Sequence, residues 1–188
     1  VAVELGAPQI LVTSGWAYLD EPAEDAWARS VAMLRSVCDY ADTRGIRVAL
    51  EALQPSESVL VNTAQDVAHI LADVDRPNLK ACIDFGAMEV AGDTIDSYFE
   101  VLGDKIVHTH FVDVGGGTTH LAWGDGERDM RADLDALLTQ QLNRDAARNA
   151  QRRGETAGEM AAAGGILPAA VFDLGSVVRV ARAWAVQQ

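Results

Sequence analysis

Three short apolar runs, each closed by a polar side chain, constrain the fold of this 188-residue chain more than any other feature. Continuous apolar runs of this length are typical of strands that are buried on both faces of a parallel sheet, with chemistry placed where the strand gives way to a loop. Because each run ends in an oxygen or imidazole group, the three ends together predict one site. The runs are residues 47–51, 79–84 and 106–113, and their polar ends are Glu51, Asp84, and His110 with Asp113.

Segments with helical spacing alternate with these runs. Apolar residues recur at helical intervals over residues 24–43, where Gly45 ends the pattern. Strand followed by helix, repeated along a chain, indicates an α/β fold with a parallel sheet. The other predicted elements are the end of a helix over residues 1–6, a strand over residues 9–13, a helix capped by Asn62 or Thr63 that stops before Pro77, and a helix over residues 94–102.

The character of the chain changes after residue 140. Before that point, residues 115–120 predict a flexible glycine-rich loop, and residues 130–138 predict a helix. After it, the sequence is rich in Ala, Arg and Gln and then becomes apolar again, without a recognisable strand ending in glutamate. We therefore expect a barrel-like part over residues 1–140 and a divergent tail over residues 141–188.

Composition narrows the class of protein. The formal net charge of −13 argues against a nucleic-acid-binding surface, because phosphates would be repelled. No apolar run is long enough to span a membrane and no leader precedes the first strand, so we expect a cytoplasmic protein without a membrane partner. Cys38 and Cys82 lie in apolar contexts and are interpreted as reduced, buried thiols. The chain begins with Val1, which predicts that it starts inside a longer gene product.

Glu51, Asp84 and His110 form a set of two oxygen ligands and one nitrogen ligand, which suits a divalent cation such as Mn²⁺, Co²⁺ or Mg²⁺. Each residue has a structural alternative when taken singly. Glu51 can pair with an arginine, Asp84 can cap the next helix, and His110 can be a core histidine. Their shared position at successive strand ends favours a metal site over three independent structural roles.

Two neighbouring residues have open assignments. Glu57 follows Glu51 by six residues and is either a substrate-contacting carboxylate or a solvated loop glutamate. His108 lies on the same strand face as His110, one pleat deeper, and is either structural or a support for a metal ligand.

Residues 2–138 resemble the xylose isomerase-like TIM barrel superfamily of sugar epimerases and isomerases, and within it the fructoselysine and tagatose/psicose 3-epimerases. Several short motifs carry this resemblance, and together they cover nearly three-quarters of the chain. They are Leu50-Glu51 with Pro55 and Glu57, Leu102-Gly103-Asp104-Lys105, His110-Phe111-Val112-Asp113, and Thr119-His120 followed by Trp123-Gly124-Asp125-Gly126.

The resemblance implies a metal-dependent 3-epimerase or isomerase acting on a ketose or fructosamine-type sugar through an enediolate. By that likeness Glu51, Asp84 and His110 would bind the metal, and Glu51 would also act as an acid/base. Glu57 would contact terminal oxygens of the sugar, and His120 would lie where relatives place a substrate-binding arginine. Trp16, after the first strand, is expected to add an apolar wall, and a homo-oligomer is the expected assembly.

The chain departs from the family pattern in two places. Ala87 stands where ketohexose epimerases have a histidine, and the apolar run closed by Asp173 is the nearest substitute for the family's last glutamate-bearing strand. A complete barrel needs about 250 residues, so we expect a partial (β/α)8 TIM barrel, roughly its second half, with an atypical C-terminal tail. The alternatives are a metal-dependent hydrolase or endonuclease of the same barrel class, and a non-catalytic truncated product.

Overall fold

A computed structural model describes the backbone of residues 1–153 and the side chains of residues 1–144. A four-stranded parallel sheet contains, in spatial order, β1 (Gln9–Thr13), β2 (Arg47–Glu51), β3 (Leu79–Asp84) and β4 (Ile106–His110). Neighbouring strands in the sheet are also successive strands in the chain. Since all pairs are parallel, the carboxyl ends of the four strands lie along one edge of the sheet.

The two central strands are buried on both faces. Val48, Ala49 and Leu50 of β2 have no solvent exposure, and Cys82 and Ile83 of β3 are equally enclosed. This double burial explains why the runs are continuously apolar rather than alternating, as expected for a parallel sheet covered by helices. The α/β class and the partial barrel predicted from the sequence are confirmed.

Four helices connect the strands. α1 follows β1, α2 follows β2, and α3 and α4 both lie between β3 and β4. Their bounds are α1 (Ala23–Asp42), α2 (Ala64–Val74), α3 (Phe85–Ala91) and α4 (Ile95–Leu102). The helix predicted over residues 24–43 is therefore present with each end moved by one residue. α3 is absent from the sequence prediction, because it has only seven residues and follows β3 without any loop.

The start of α2 shows how local sequence sets a helix boundary. The Thr63 hydroxyl accepts a hydrogen bond from the Asp66 amide, and the Asp66 carboxylate accepts one from the Thr63 amide, at 3.1 and 3.0 Å. This reciprocal pair satisfies backbone donors that the first helical turn leaves free. Val67 and Ile70 then face the core with no exposure.

The first residues differ from the predicted helix end. Residues 2–6 form turns and not a helix, although the hydrogen bonds typical of a helix C-terminus are present. The Ala7 amide donates to the Ala2 carbonyl and the Gly6 amide to the Val3 carbonyl, and Gly6 adopts a φ of +67°. That pattern is the glycine cap expected from the sequence, closing a turn too short to count as a helix.

The prediction that one strand runs from Ile106 to Asp113 is wrong, as is the prediction of a loop over residues 115–120. β4 ends at His110, and Asp113 opens a hairpin of β5 (Asp113–Gly115) and β6 (Thr118–Leu121). Gly116 and Gly117 join the two strands with φ of +58° and +77°. Positive φ at both central residues is typical of a type I′ hairpin turn, so the glycines that suggested a flexible loop instead build the turn.

Asp113 anchors a loop and is not available as a ligand. It is fully buried, and its two carboxylate oxygens accept four backbone N–H groups, those of Val114, Gly124, Gly126 and Arg128, at 2.8 to 3.3 Å. Burial works to raise the pKa of the Asp113 carboxyl, but these four donors hold it below its usual value. The carboxylate thereby fixes the loop of residues 122–128 against β5.

The C-terminal part of the described chain is helical. α5 (Met130–Arg153) begins at the predicted Met130 but extends well beyond the predicted end at Leu138. The chain divides into two compact units, Val1–Met130 and Arg131–Gln188, and we describe the second only through α5. Asp173 and most of the predicted tail lie outside the described residues. Within the described part, the helices are all too short or too polar to cross a membrane.

Both cysteines are free and buried, as the sequence predicts. Cys38 lies on the core face of α1, and Cys82 lies in β3.

Replacing Asp113 tests the anchor. In Asp113→Asn an NH₂ group takes the place of one oxygen and faces backbone donors, so we expect a loss of roughly 1–3 kcal/mol for each buried group left unsatisfied. Because the native pKa is depressed, the stabilisation by the wild-type carboxylate is present above the unfolded pKa of about 3.9 and disappears as pH falls through the native pKa. The difference in melting temperature between wild type and variant should therefore shrink as the solution is acidified below about pH 4.

The matched control is Asp125→Asn, which changes an exposed carboxylate in the same loop. Gly126→Ala provides a second route to the same loss, because a Cβ at this position would lie 2.3 Å from Asp113 Oδ1. A constant wild-type-to-Asp113→Asn difference across the acid range would contradict the anchoring role.

Candidate functional site

The structure brings Glu51, Asp84 and His110 together at the carboxyl edge of the sheet. His110 Nδ1 lies 2.6 Å from Glu51 Oε1 and 3.3 Å from Asp84 Oδ2. One ligand atom from each residue lies within 4.8 Å of the other two. The prediction that these three strand ends meet is therefore fulfilled in geometry.

Strand register explains the convergence. Asp84 lies directly opposite His110 in the β3–β4 pair, so the last residues of both strands share one level of the sheet. Glu51 lies opposite Cys82, two residues earlier along β3. Its longer side chain spans that offset and reaches His110, a reach that a shorter aspartate at the same position would lack.

The cluster is buried and carries opposite charges. Glu51 and Asp84 retain only 8% and 2% of their solvent exposure, and the His110 side chain is partly exposed. The Asp84 and Glu51 carboxylates raise the pKa of His110 to about 10. Burial works to raise the pKa of Asp84, but His110 and the Ala87 amide hold it below its usual value. A positive charge between the two carboxylates is thus strongly favoured.

The two carboxylate oxygens of Asp84 have different surroundings. Oδ1 accepts a hydrogen bond from the Ala87 amide at 2.8 Å and caps α3, so the structural role considered for Asp84 is real. Oδ2 is buried and faces His110 Nδ1 at 3.3 Å and His120 Nε2 at 3.2 Å. A buried carboxylate oxygen needs a compensating positive charge, which a protonated imidazole or a metal cation can supply. The residues present therefore fit a divalent ion.

His120 joins the cluster from the hairpin. Its Nε2 lies 3.2 Å from Asp84 Oδ2, and its backbone has a φ of +63°, which is uncommon for a residue other than glycine. Gly86 leaves room for this approach, because a Cβ there would lie 3.0 Å from both Asp84 Oδ1 and Thr119 Cβ. His120 thus lies beside the three predicted ligands, about half exposed to solvent.

Glu57 and Trp16 remain apart from the cluster in the described interactions. Glu57 is exposed, and its carboxylate accepts a hydrogen bond from the Gln54 amide at 3.0 Å. Trp16 is 71% exposed, and its carbonyl accepts a hydrogen bond from Arg29. Among the described residues, neither side chain has a hydrogen bond or ion pair with Glu51, Asp84 or His110.

Gln54 is a site neighbour that the sequence prediction missed. Its side-chain amide donates to Thr119 Oγ1 at 3.0 Å and so connects the loop after β2 to the hairpin that carries His120. The sequence feature that could have predicted this role is the position of Gln54, a polar residue, between Glu51 and Glu57. Gln54 contributes to the site by bridging two loops.

Comparison with known proteins identifies the family. A family model described as xylose isomerase-like TIM barrel matches residues 1–143. Fructoselysine 3-epimerase of Escherichia coli O157:H7 is 37% identical over 132 residues, which cover 70% of this chain and 48% of that protein. D-psicose 3-epimerase of Ruminiclostridium cellulolyticum is 33% identical over 84 residues, covering 45% of this chain and 29% of that protein. The chain spans about half the length of fructoselysine 3-epimerase.

Solved structures show the same fold. D-psicose 3-epimerase with D-tagatose, from Clostridium cellulolyticum H10, has a TM-score of 0.61 at 24% identity, over 76% of this chain and 50% of that chain. The IOLI protein with a binding zinc atom has a TM-score of 0.60 at 26% identity, over 72% of this chain and 51% of that one. With the family model matching about three-quarters of its residues, this chain belongs to the xylose isomerase-like TIM barrel family.

Proposed function

We propose that this chain carries the metal-binding part of a sugar 3-epimerase that acts on a ketose or fructosamine-type substrate. The observation that carries the proposal is the convergence of Glu51, Asp84 and His110, two buried carboxylates and an imidazole whose ligand atoms all lie within 4.8 Å of one another. Relatives named as fructoselysine, psicose and ribulose 3-epimerases support the reaction class.

The donor set selects the kind of ion. Two carboxylates and one imidazole suit Mn²⁺, Co²⁺ or Mg²⁺, because oxygen ligands favour hard cations and a single imidazole is compatible with borderline ones. A bound ion of this kind supplies Lewis-acid stabilisation for negative charge that develops on substrate oxygens. Glu51, Asp84 and His110 are the residues that would hold it.

Glu51 is assigned a second role as acid/base. Epimerisation at C3 requires removal of a proton from one face of the carbon through an enediolate and its return to the other face. Asp84 uses one oxygen to cap α3, whereas Glu51 has no backbone partner among the described hydrogen bonds and can reorient toward substrate. His120 and Glu57 are assigned to substrate oxygens, and Trp16 to an apolar wall.

The proposal extends to the location, assembly and partner of the protein. We place the protein in the cytoplasm as a homo-oligomer whose partner is a small sugar, and treat residues 141–188 as a tail distinct from the barrel part. The net charge of −13 does not favour an endonuclease-like activity, since a DNA phosphate backbone would be repelled.

Metal binding is the first test. Mn²⁺ or Co²⁺ at about 100 times its dissociation constant should stabilise the protein by about 2.7 kcal/mol, which is a rise in melting temperature of roughly 5–10 °C for a chain of this size. Glu51→Gln should abolish the rise, because an amide is a poor replacement for an anionic ligand. Glu100→Gln, which alters an exposed carboxylate on α4, is the matched control and should retain it. Equal shifts in the two variants would contradict the assigned metal site.

Sugar binding is the second test. Isothermal titration of the Mn²⁺-loaded protein with D-psicose and with fructoselysine should detect binding to at least one of them. His120→Ala and Glu57→Gln should each weaken it by roughly 10- to 100-fold, the loss expected for a hydrogen bond to a charged group. Unchanged affinity in both variants, with Glu100→Gln also unchanged, would remove His120 and Glu57 from the substrate site.

Epimer formation is the third test. Among the described residues Glu51 is the single carboxylate that we assign to C3, and inversion requires a second group on the opposite face. We therefore expect little or no C3 epimer when the 188-residue chain is incubated with Mn²⁺ and ketose, although Glu51 alone could exchange the C3 proton with deuterated water on one face. Rapid formation of the epimer would show that another residue supplies the second group, and Asp173→Asn would be the next variant to measure.

A further inference from the structure

A second cluster of metal-ligating side chains lies directly beneath the first. Cys82, His108 and His110 each offer one ligand atom within 4.8 Å of the other two. Cys82 and His108 are register partners across the β3–β4 pair, just as Asp84 and His110 are partners two residues later. The rings of His108 and His110 are 5.3 Å apart and nearly perpendicular.

We propose that Cys82, His108 and His110 form a binding site for a thiophilic divalent cation such as Zn²⁺ or Cd²⁺. One thiolate and two imidazoles are soft and borderline ligands, in contrast to the carboxylates of the upper cluster. Three protein ligands with a fourth position left open is a common coordination for zinc. On binding, the Cys82 thiol and the His110 imidazolium each release a proton to solvent, and the Cys82 sulfur and one nitrogen of each histidine bond to the ion.

The surroundings of the cluster suit this chemistry. Cys82 has no solvent exposure, so its sulfur is protected from bulk oxidants, and His108 and His110 are partly exposed and offer an approach for an ion. The chain has two cysteines, and the other, Cys38, is on α1 and belongs to neither candidate cluster among the described residues. Metal–thiolate absorption would therefore be assigned to Cys82.

The two sites share His110, which makes them mutually exclusive. A neutral imidazole has one nitrogen that carries hydrogen and one free lone pair, so it can bind one ion at a time. An ion at Cys82 and His108 that takes His110 removes the nitrogen ligand from Glu51 and Asp84. An ion at Cys82, His108 and His110 (the soft site) would thus oppose binding of an ion at Glu51, Asp84 and His110 (the hard site). This exclusion rests on the proposed function, whereas the thiolate site itself does not.

Cadmium titration of the metal-free, full-length chain tests the site itself. Cd²⁺ should produce ultraviolet thiolate-to-cadmium absorption that saturates at one ion per chain in wild type and in the matched control Cys38→Ser. Cys82→Ser should lose the absorption, and His108→Gln should weaken cadmium affinity by at least about 10-fold, because a direct ligand is removed. Glu51→Gln should retain the absorption, since that carboxylate belongs only to the upper cluster.

Two results would overturn the site. Either full absorption in Cys82→Ser, or its loss in Cys38→Ser with far-ultraviolet circular dichroism unchanged, would place the thiolate elsewhere. If Cys82→Ser does not fold, His108→Gln decides alone, because unchanged cadmium affinity in that variant rules out the ligand set.

Exclusion is tested separately with both ions. Saturating Cd²⁺ should suppress the Mn²⁺-induced rise in melting temperature in wild type but not in Cys82→Ser. A full Mn²⁺ rise in the presence of bound Cd²⁺ would show that the sites are independent and would reject the shared use of His110. Thiolate absorption without any Mn²⁺ rise in wild type would instead reject the hard site and leave the thiolate site standing.

Discussion

The buried carboxylates of Glu51 and Asp84 require a positive charge beside them, and the carboxyl edge of the sheet is organised around meeting that requirement. Two anions in a poorly solvated site are costly unless they are paired. In the described structure His110 provides the pairing, with Nδ1 at 2.6 Å from Glu51 and at 3.3 Å from Asp84. A divalent cation can take over the same function, because it would compensate the carboxylates once His110 has released its proton.

Contacts in the hairpin and the loop that follows it bring His120 to this cluster. Asp113 fixes the loop of residues 122–128 through four backbone hydrogen bonds, and the hairpin that starts at Asp113 carries His120 back toward Asp84. Gly86 has no side chain where the hairpin approaches α3. These backbone features place His120 beside Asp84, which is remote from it in sequence.

Strand periodicity gives the site two chemical layers. Side chains two residues apart on a strand share a face, so Asp84 and His110 lie one level above Cys82 and His108. The upper level offers oxygen ligands to hard cations, and the lower level offers sulfur and nitrogen to soft ones. His110 belongs to both sets, so in the two sites that we propose its single lone pair, once the ring is neutral, would serve one ion at a time.

The sequence alone determined the α/β class and singled out Glu51, Asp84 and His110 as strand-end side chains, because apolar continuity and helical spacing are local properties that a chain displays without its fold. It also narrowed the α2 cap to Asn62 or Thr63, and the structure has Thr63, because a capping box depends on residues only three apart. It could not determine the hairpin that replaced the predicted loop, because two successive glycines are compatible with a tight turn and with a flexible loop alike. In the structure both glycines adopt a positive φ.

Only the tertiary structure decided which distant side chains meet. It turned Asp113 from a strand-end ligand into a buried loop anchor, joined Gln54 to Thr119, and brought His120 to within 3.2 Å of Asp84. The physical reason is that hydrogen bonds and ion pairs between residues far apart in sequence depend on strand register and loop closure, and neither is encoded in the spacing of residues along one segment.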